Sequence, residues 1–353
     1  MRNIGWLLIV LAAAGCAAPE RGDGQPALPA GAAVKMRWNA IPTGTHASLR
    51  GLFAVDGRVA WASGAGGTYL RTVNGGVHWT AHVVPGARKL DFRDTRALDE
   101  NTAWVMAAGP GAASRIYRTD DGGHHWRRLW TNPHPDGFLD GFAWWSRQRG
   151  IAYGDPVDGR MFVMTTVDGG ASWHRVPTSG LPASREGEAG FAASGTGIAV
   201  SGSDHAWFGT GGANVARVFR TTDGGATWKT AETPLTDPSG SSGIFSIAFS
   251  DSMNGVIVGG DYTRPGRGVA NAAWTDDGGA TWHAPTGSPL SGYRSGVAWH
   301  GDLIIAVGPS GTDVSRDGGR SWQPFDETGL HAIRLVDGGG YGSGASGRVA
   351  RLR

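Results

Sequence analysis

The polar residues that could do chemistry lie in turns and links between short apolar segments. They offer carboxylates, guanidiniums and a phenol, which bind charged ligands, sugars or proteins through directed hydrogen bonds. Seven stand out: Asp155, Arg160, Glu186, Glu188, Asp261, Tyr262 and Arg294. Their connections are longer than a plain link needs, and such loops tend to carry function. We expect them to line one polar pocket or docking face. The competing interpretation is that they are solvated loop residues.

Three arginines suggest a carboxylate-binding triad, because guanidiniums hold carboxylates in a bidentate fashion. They are Arg71, Arg118 and Arg220, and each stands three residues before an Asp or Asn of a repeated motif. A position that recurs with the repeat is more simply explained by structure. The triad is therefore not taken as a binding site.

Other catalytic and cofactor signatures are absent from the sequence. It contains no Gly-x-Ser-x-Gly elbow, no His-Glu-x-x-His pair and no Walker loop. Cys16 is the single cysteine, and His124-His125 lies inside a repeated turn, where a solvent-facing role is favoured over metal binding. The net charge is +2 with no basic stripe. We expect no cofactor, no metal site and no nucleic-acid partner.

One motif recurs six times and predicts the fold. Its pattern is Ser/Thr-x-Asp/Asn-Gly-Gly-x-x-Trp, with the acidic or amide residue at Asn74, Asp121, Asp168, Asp223, Asp277 and Asp317. Successive copies are 40 to 55 residues apart, about the size of one four-stranded propeller blade. We call these six segments the corner turns.

Local hydrogen bonds and glycine backbone conformations explain each corner turn. The Asp or Asn oxygen can accept backbone N–H bonds within the turn, and paired glycines take positive φ without steric cost. A tryptophan then opens the next strand and buries a large ring. These tryptophans are Trp79, Trp126, Trp173, Trp228, Trp282 and Trp322. We assign the acidic residues and the tryptophans to structure, not catalysis.

Short apolar segments bounded by glycine stand upstream of each corner turn and predict buried strands. A seventh unit can be assembled from the two ends. Strands near 331–336, 340–343 and 347–351 lack a fourth, which the segment Lys35–Pro42 can supply. Pairing the ends would remove exposed strand edges. The sequence therefore predicts an all-β, seven-bladed β-propeller over residues 35–353.

The first 34 residues are typical of a targeting signal and a tether. Arg2 precedes an apolar run that is too short to span a bilayer, and Leu11-Ala-Ala-Ala-Gly-Cys16 resembles a bacterial lipobox. This predicts a signal peptide at 1–15, lipidation of Cys16 and a flexible tether at 16–34. The alternative is an ordinary signal peptide with an incidental cysteine. We expect a cell-envelope lipoprotein, with the outer membrane favoured over the inner and the propeller facing the periplasm.

The corner turns resemble the Asp-box, or BNR, repeat of sialidase-like propellers. Sialidases usually carry an Arg-Ile-Pro motif near the start, whereas this chain has Trp38-Asn-Ala-Ile-Pro42 without the arginine. Over about residues 35 to 353 the chain is similar to the photosystem II stability/assembly factor family and its bacterial relatives. The segments 154–159 and 259–262 look like a bacterial subgroup labelled oxidoreductase or glycosyl hydrolase. No nucleotide or redox motif supports the oxidoreductase label.

The family resemblance implies an assembly scaffold. We expect a monomeric, non-catalytic binding module, tethered through Cys16 and docking a protein partner. Two alternatives stay open, a carbohydrate-active enzyme and a carbohydrate-binding propeller. Two carboxylates about 5–10 Å apart in an open central pocket would favour the enzyme, and a plugged centre would oppose it.

Overall fold

Seven small antiparallel sheets follow one another along the chain. The computed structural model describes residues 36–236 and 239–353. Blade one contains β2 (Leu49–Ala54), β3 (Ala60–Gly64), β4 (Thr68–Thr72) and β5 (Thr80–Val83). Blade two contains β6 (Asp91–Ala97), β7 (Ala103–Ala108), β8 (Arg115–Thr119) and β9 (Arg127–Thr131). Blade three contains β10 (Leu139–Trp144), β11 (Gly150–Val157), β12 (Arg160–Thr166) and β13 (His174–Arg175).

The remaining blades repeat the same order. Blade four contains β14 (Ile198–Ser201), β15 (His205–Gly209), β16 (Arg217–Thr221) and β17 (Lys229–Glu232). Blade five contains β18 (Ser242–Phe249), β19 (Gly255–Asp261) and β20 (Ala272–Thr275). Blade six contains β21 (Gly296–His300), β22 (Leu303–Gly308), β23 (Gly311–Ser315) and β24 (Gln323–Asp326). The described helical structure is two 3₁₀ turns, Gly111–Ala113 and Thr178–Gly180.

Blade seven joins the two ends of the propeller. Strands β25 (Ala332–Val336), β26 (Gly339–Ser343) and β27 (Val349–Leu352) come from the end of the chain, and β1 (Trp38–Ile41) completes the sheet. β1 pairs antiparallel with β27, with Trp38 opposite Leu352. The first strands of neighbouring blades contact one another in a closed cycle, including β25 with β2. The predicted seven-bladed β-propeller, closed by an N-terminal strand, is confirmed.

The corner turns link the third strand of a blade to its last strand. In blade four, the Thr221 hydroxyl donates to the Asp223 Oδ1 at 2.7 Å and accepts the Gly225 N–H at 3.1 Å. The same Asp223 oxygen accepts the Thr227 N–H at 2.9 Å. Gly224 and Gly225 have φ of 71° and 93°, the left-handed region that favours glycine. Local hydrogen bonding thus sets the reversal of the chain.

Blade five departs from the four-stranded pattern. After its corner turn, only an isolated bridge joins Trp274 to His283, through two backbone hydrogen bonds of 3.0 and 2.9 Å. Pro285 follows two residues later. Proline has no N–H to donate to a ladder and so weakens further pairing here, although β24 of blade six does pair through Pro324.

Indole rings fill the spaces between blades. Trp61, Trp104 and Trp207 lie in second strands and are at most 1% exposed. Each indole N–H donates to a backbone oxygen of the following blade; the Trp104 Nε1, for example, donates to Gly169 O at 3.1 Å. Burial of large aromatic surface, with the polar edge satisfied, holds adjacent blades together.

The antiparallel order defines two sides of the ring. The corner side carries the corner turns and the turns between first and second strands. The link side carries the links between blades and the turns between second and third strands. Residues 36–353 belong to one compact unit, and in its described part no helix is long and apolar enough to cross a membrane.

Candidate functional site

The seven nominated residues all belong to link-side segments, but the described hydrogen bonds and ion pairs join none of them to another. Asp155 and Arg160 flank the turn between β11 and β12, and Glu186 and Glu188 lie in the link after blade three. The others follow. Asp261 ends β19, Tyr262 begins the next turn and Arg294 precedes β21. That they form one shared pocket or face stays a prediction.

Glu188 is buried in an ion pair with Arg217 of β16. The Arg217 Nε donates to the Glu188 Oε1 at 2.9 Å, and a second donor of the same guanidinium reaches Oε2. The Thr210 hydroxyl donates to Oε1 at 2.7 Å. Burial alone would raise the pKa of Glu188, but the hydrogen bonds from Arg217, the Arg185 N–H and Thr210 outweigh it and lower that pKa. Glu188 thus fastens the link to blade four.

Asp261 organises its own turn. Its Oδ1 accepts the Ser241 hydroxyl at 2.8 Å and both the N–H and the hydroxyl of Thr263, at 2.9 and 2.7 Å. The Arg264 Nε donates to its Oδ2 at 2.6 Å. Burial opposes the charge, yet these bonds hold the pKa of Asp261 far below its usual range. Because Asp261 stays ionised, it has no proton to donate and is unsuited to general acid catalysis.

Arg294 points into the interior of blade six, where it pairs with Asp313, and its side chain is 0% exposed. Burial lowers the pKa of Arg294, although the pairing with Asp313 opposes that change. Arg160 donates to the Leu181 carbonyl, which braces its turn against the following link. Both guanidiniums therefore have intramolecular partners.

Tyr262 and Glu186 are the most exposed of the set. The Tyr262 side chain is 52% exposed and contacts Phe245 edge-on, with ring centroids 6.1 Å apart. Phe245 in turn stacks on Phe191 at 4.0 Å and meets Tyr293 edge-on at 4.8 Å. We call these four rings the aromatic cluster. Its exposed tip is the phenol of Tyr262.

Residues 189–197, which we call the plug, lie across the link-side mouth of the central channel. The Arg50 and Arg93 guanidiniums donate to the carbonyls of Ala193 and Ala192, at 3.4 and 3.3 Å. The plug also contacts blades three and five: the Gly190 N–H donates to the Asp155 Oδ1 at 2.9 Å, and Ile247 N–H donates to Thr196 O at 2.8 Å. The plug thus closes this end of the channel.

Two carboxylates lie beneath the plug. Asp140 is 2% exposed, and a Cβ on Gly190 would stand 2.2 Å from the Asp140 Oδ2. Burial raises the pKa of Asp140 well above its usual value, and the neighbouring charge of Asp155 adds to this. The pKa of Asp155 is also raised by burial. Because Gly190 packs directly on Asp140, no space is left there for a sugar ring.

One feature that the sequence did not reveal is a cavity of about 240 Å³ in the channel below the plug. The first strands line it, through residues at or near their corner-side ends, such as Phe53, Arg96, Phe249 and Arg334. No spacing rule relates Arg96 to Arg334, because the two meet only when the ring closes. In the described ranges, no group of three or more His, Cys, Asp or Glu side chains could hold a metal ion.

No protein-family model matches the sequence, and no curated protein matches it either. Solved structures do match in fold. YCF48 from Cyanidioschyzon merolae has 18% identity and a TM-score of 0.62, covering 90% of this chain and 98% of that one. YCF48 bound to a D1 peptide has 16% identity and a TM-score of 0.59, covering 89% and 94%.

A WD40 propeller domain, that of Doa1, is similar to a comparable degree, with 10% identity, a TM-score of 0.61 and coverage of 91% and 97%. Identities this low establish architecture alone. Taken with the closed ring of blades, the comparisons show a chain similar in fold to YCF48, the photosystem II assembly factor, and to other β-propellers.

Proposed function

We propose that the chain is a non-catalytic scaffold of the cell envelope, tethered to a membrane through a lipid on Cys16, which binds a protein partner on its link side. The observation that carries the proposal is the plug. It fills the mouth where a propeller enzyme would admit substrate and covers Asp140 and Asp155. The accessible part of the link-side mouth is therefore the outer surface of the plug and its neighbours, and not an enclosed substrate pocket.

The composition of that surface suits protein docking. Tyr262 is the exposed ring of the aromatic cluster, whose other rings are buried or half-buried. Tyrosine supplies much contact area for little side-chain entropy. Exposed Glu186 adds a charge on the same side. The fold neighbour YCF48 has been solved with a D1 peptide bound, which supports a protein partner for a propeller of this architecture.

The lipid tether would hold this face near membrane complexes. Cys16 follows Leu11-Ala-Ala-Ala-Gly15 directly, in the order of a lipobox. The predicted tether, the 18 residues from Ala17 to Val34, lies outside the described residues. A linker of that length has a reach of about 25 Å. A partner in or on the same membrane is therefore favoured over one free in solution.

A site-specific crosslink tests the docking face. A photoreactive phenylalanine analogue replaces Tyr262 in one full-length variant and Val77, a 61% exposed corner-side residue, in a control. In native membranes we expect one defined protein to crosslink at position 262 in at least tenfold excess over position 77. Excess unmodified protein should compete it away. Equal crosslinking at both positions, or none at 262, would contradict the proposal.

A glycan partner is tested in parallel. Binding of a defined glycan without turnover, lost on Tyr262→Ala, would assign the same face to carbohydrate and overturn the protein-docking proposal. Turnover of any glycoside by the purified chain would overturn its non-catalytic part.

A further inference from the structure

The channel cavity lies on the other side of the plug from the proposed docking face. Its exposed wall is more polar than apolar, and the partly exposed rings of Phe53 and Trp299 are among its lining residues. At about 240 Å³ it is smaller than the roughly 300–1,000 Å³ pockets that take drug-sized ligands. Several lining residues at the corner-side ends of the first strands, including Phe249 and Trp299, are partly exposed. A small molecule could therefore enter from the corner side.

Two cations share this cavity. Arg96 lies on β6 of blade two and Arg334 on β25 of blade seven, and both guanidiniums contact the ring of Phe53 of blade one. The Arg96 and Arg334 guanidinium carbons lie 4.4 and 5.2 Å from the centroid of the Phe53 ring. Burial, followed by repulsion from Arg334, lowers the pKa of Arg96 to about 10. Guanidinium groups are not deprotonated in proteins, so both side chains are positively charged.

The charges of the pair are not balanced by an ion pair. Among the described residues, neither arginine has a carboxylate within ion-pair distance, and the Arg96 Nε is buried without a hydrogen-bond partner. The Arg334 Nε donates to the Leu52 carbonyl at 3.2 Å, which fixes its orientation. A buried donor left unpaired costs free energy, so a ligand that accepts from Arg96 would recover it.

The charge of Asp94 acts on both arginines, but Asp94 forms no described ion pair with either. Its Oδ1 accepts the Thr95 N–H at 2.7 Å and its Oδ2 accepts the Phe142 N–H at 2.9 Å. Burial raises the pKa of Asp94 to about 7, so this carboxyl is partly protonated at neutral pH. The cavity keeps a net positive charge.

We propose that Arg96 and Arg334 form a binding site for a small organic carboxylate, whose oxygens accept from the two guanidiniums while its apolar body packs among the channel residues. Guanidinium forks match the geometry of a carboxylate, and charge-assisted hydrogen bonds of this kind are about twice as strong as neutral ones. The partly exposed rings of Phe53 and Trp299 favour an acid with a hydrocarbon or aromatic body over a fully hydrated inorganic anion. The site is independent of the docking face.

Benzoate is the probe. We expect it to bind the full chain, in an uncharged detergent, and to quench tryptophan emission because Trp144 and Trp299 line the cavity. Benzamide has the same shape without the charge and should bind at least tenfold more weakly. Inorganic phosphate at matched ionic strength should leave the benzoate affinity within twofold. A tighter site for phosphate than for benzoate would overturn the assignment to a carboxylate.

Two arginine variants test whether benzoate binds in the channel cavity. Arg96→Gln and Arg334→Gln should each weaken benzoate binding at least tenfold. Arg147→Gln is the matched control, because it removes a 72% exposed guanidinium from a corner-side turn, and it should leave the affinity within twofold. Unchanged affinity in both channel variants would overturn the proposal. If the channel variants do not fold, the comparison of benzoate with benzamide on the unmodified chain decides it, and equal binding of the two refutes the site.

Discussion

Arg294 and Asp313 form an ion pair inside blade six: the Arg294 Nε donates to the Asp313 Oδ2 at 2.6 Å, and both side chains are 0% exposed. Arg294 precedes the first strand of the blade and Asp313 lies in its third. The same guanidinium donates to the Tyr293 carbonyl at 2.9 Å and to the Ser310 hydroxyl at 3.0 Å. The pair therefore ties the link that enters the blade to the body of the sheet.

Arg294→Met should destabilise the propeller by about 3–5 kcal/mol, because it leaves the Asp313 carboxylate buried without its partner. Equilibrium unfolding in urea measures this. The matched control is Arg316→Met, since Arg316 is 56% exposed beside Asp302 and exposed ion pairs contribute only about 0–1 kcal/mol. Equal losses in the two variants would show that the buried pair has no special role.

Thr221→Val tests the corner turns. The methyl that replaces the hydroxyl cannot accept the Gly225 N–H or donate to Asp223. A buried N–H left unpaired costs about 1–3 kcal/mol, so we expect a loss of that size in the free energy of unfolding. Thr222→Val alters the exposed neighbour of Thr221 and should change stability by less than about 0.5 kcal/mol. A loss in both variants, or in neither, would contradict the role assigned to the Thr221 hydroxyl.

Asp94 should make stability depend on pH. Burial raises the pKa of Asp94 in the folded chain to about 7 from its ordinary value of 3.8, so the folded chain holds this proton more tightly than the unfolded chain does. Asp94 makes its full contribution to the free energy of unfolding below pH 4. This contribution, up to about 4 kcal/mol, is lost as the pH rises through 7. Asp94→Asn should flatten the stability profile between pH 4 and 7. Denaturant titrations across that range measure it, with Asp276→Asn, an exposed site, as the control. Parallel profiles for Asp94→Asn and the unmodified chain would refute the assignment.

Cys16→Ser should move the protein from the membrane fraction to the soluble fraction, because lipidation requires the thiol. Labelling with a radioactive fatty acid should be lost at the same time. Ala17→Ser is the matched control, and it should keep both the label and the membrane association. A labelled, membrane-bound Cys16→Ser variant would refute the lipoprotein prediction.

The architecture could be predicted from the sequence because its determinants are local. A Thr, an Asp and two glycines form their turn through hydrogen bonds spanning four residues or fewer, as Thr221, Asp223 and Gly225 show. The pairing of β1 with β27 was also predictable, since the last blade lacked one strand and the start of the chain offered one. Closure of a ring demands that match.

The site could not be predicted in the same way, because its contacts join residues that are distant in sequence. Glu188 and Arg294 are charged link residues, which the sequence suggests would face solvent. In the structure they are buried in ion pairs with Arg217 and Asp313. Their interior positions follow from the packing of each link against a strand, Arg217 in β16 and Asp313 in β23, which no single segment encodes. Only the tertiary structure brings Phe191 onto Phe245 to close the channel.

The same reason applies to the cavity. Arg96 and Arg334 stand over one phenylalanine ring because blades two and seven flank blade one in the closed ring. Turn chemistry and hydrophobic periodicity, which act over a few residues, decided that this chain makes blades. The closure of seven blades around a common axis decided which charges face one another, since only that closure sets distances between segments far apart in the chain.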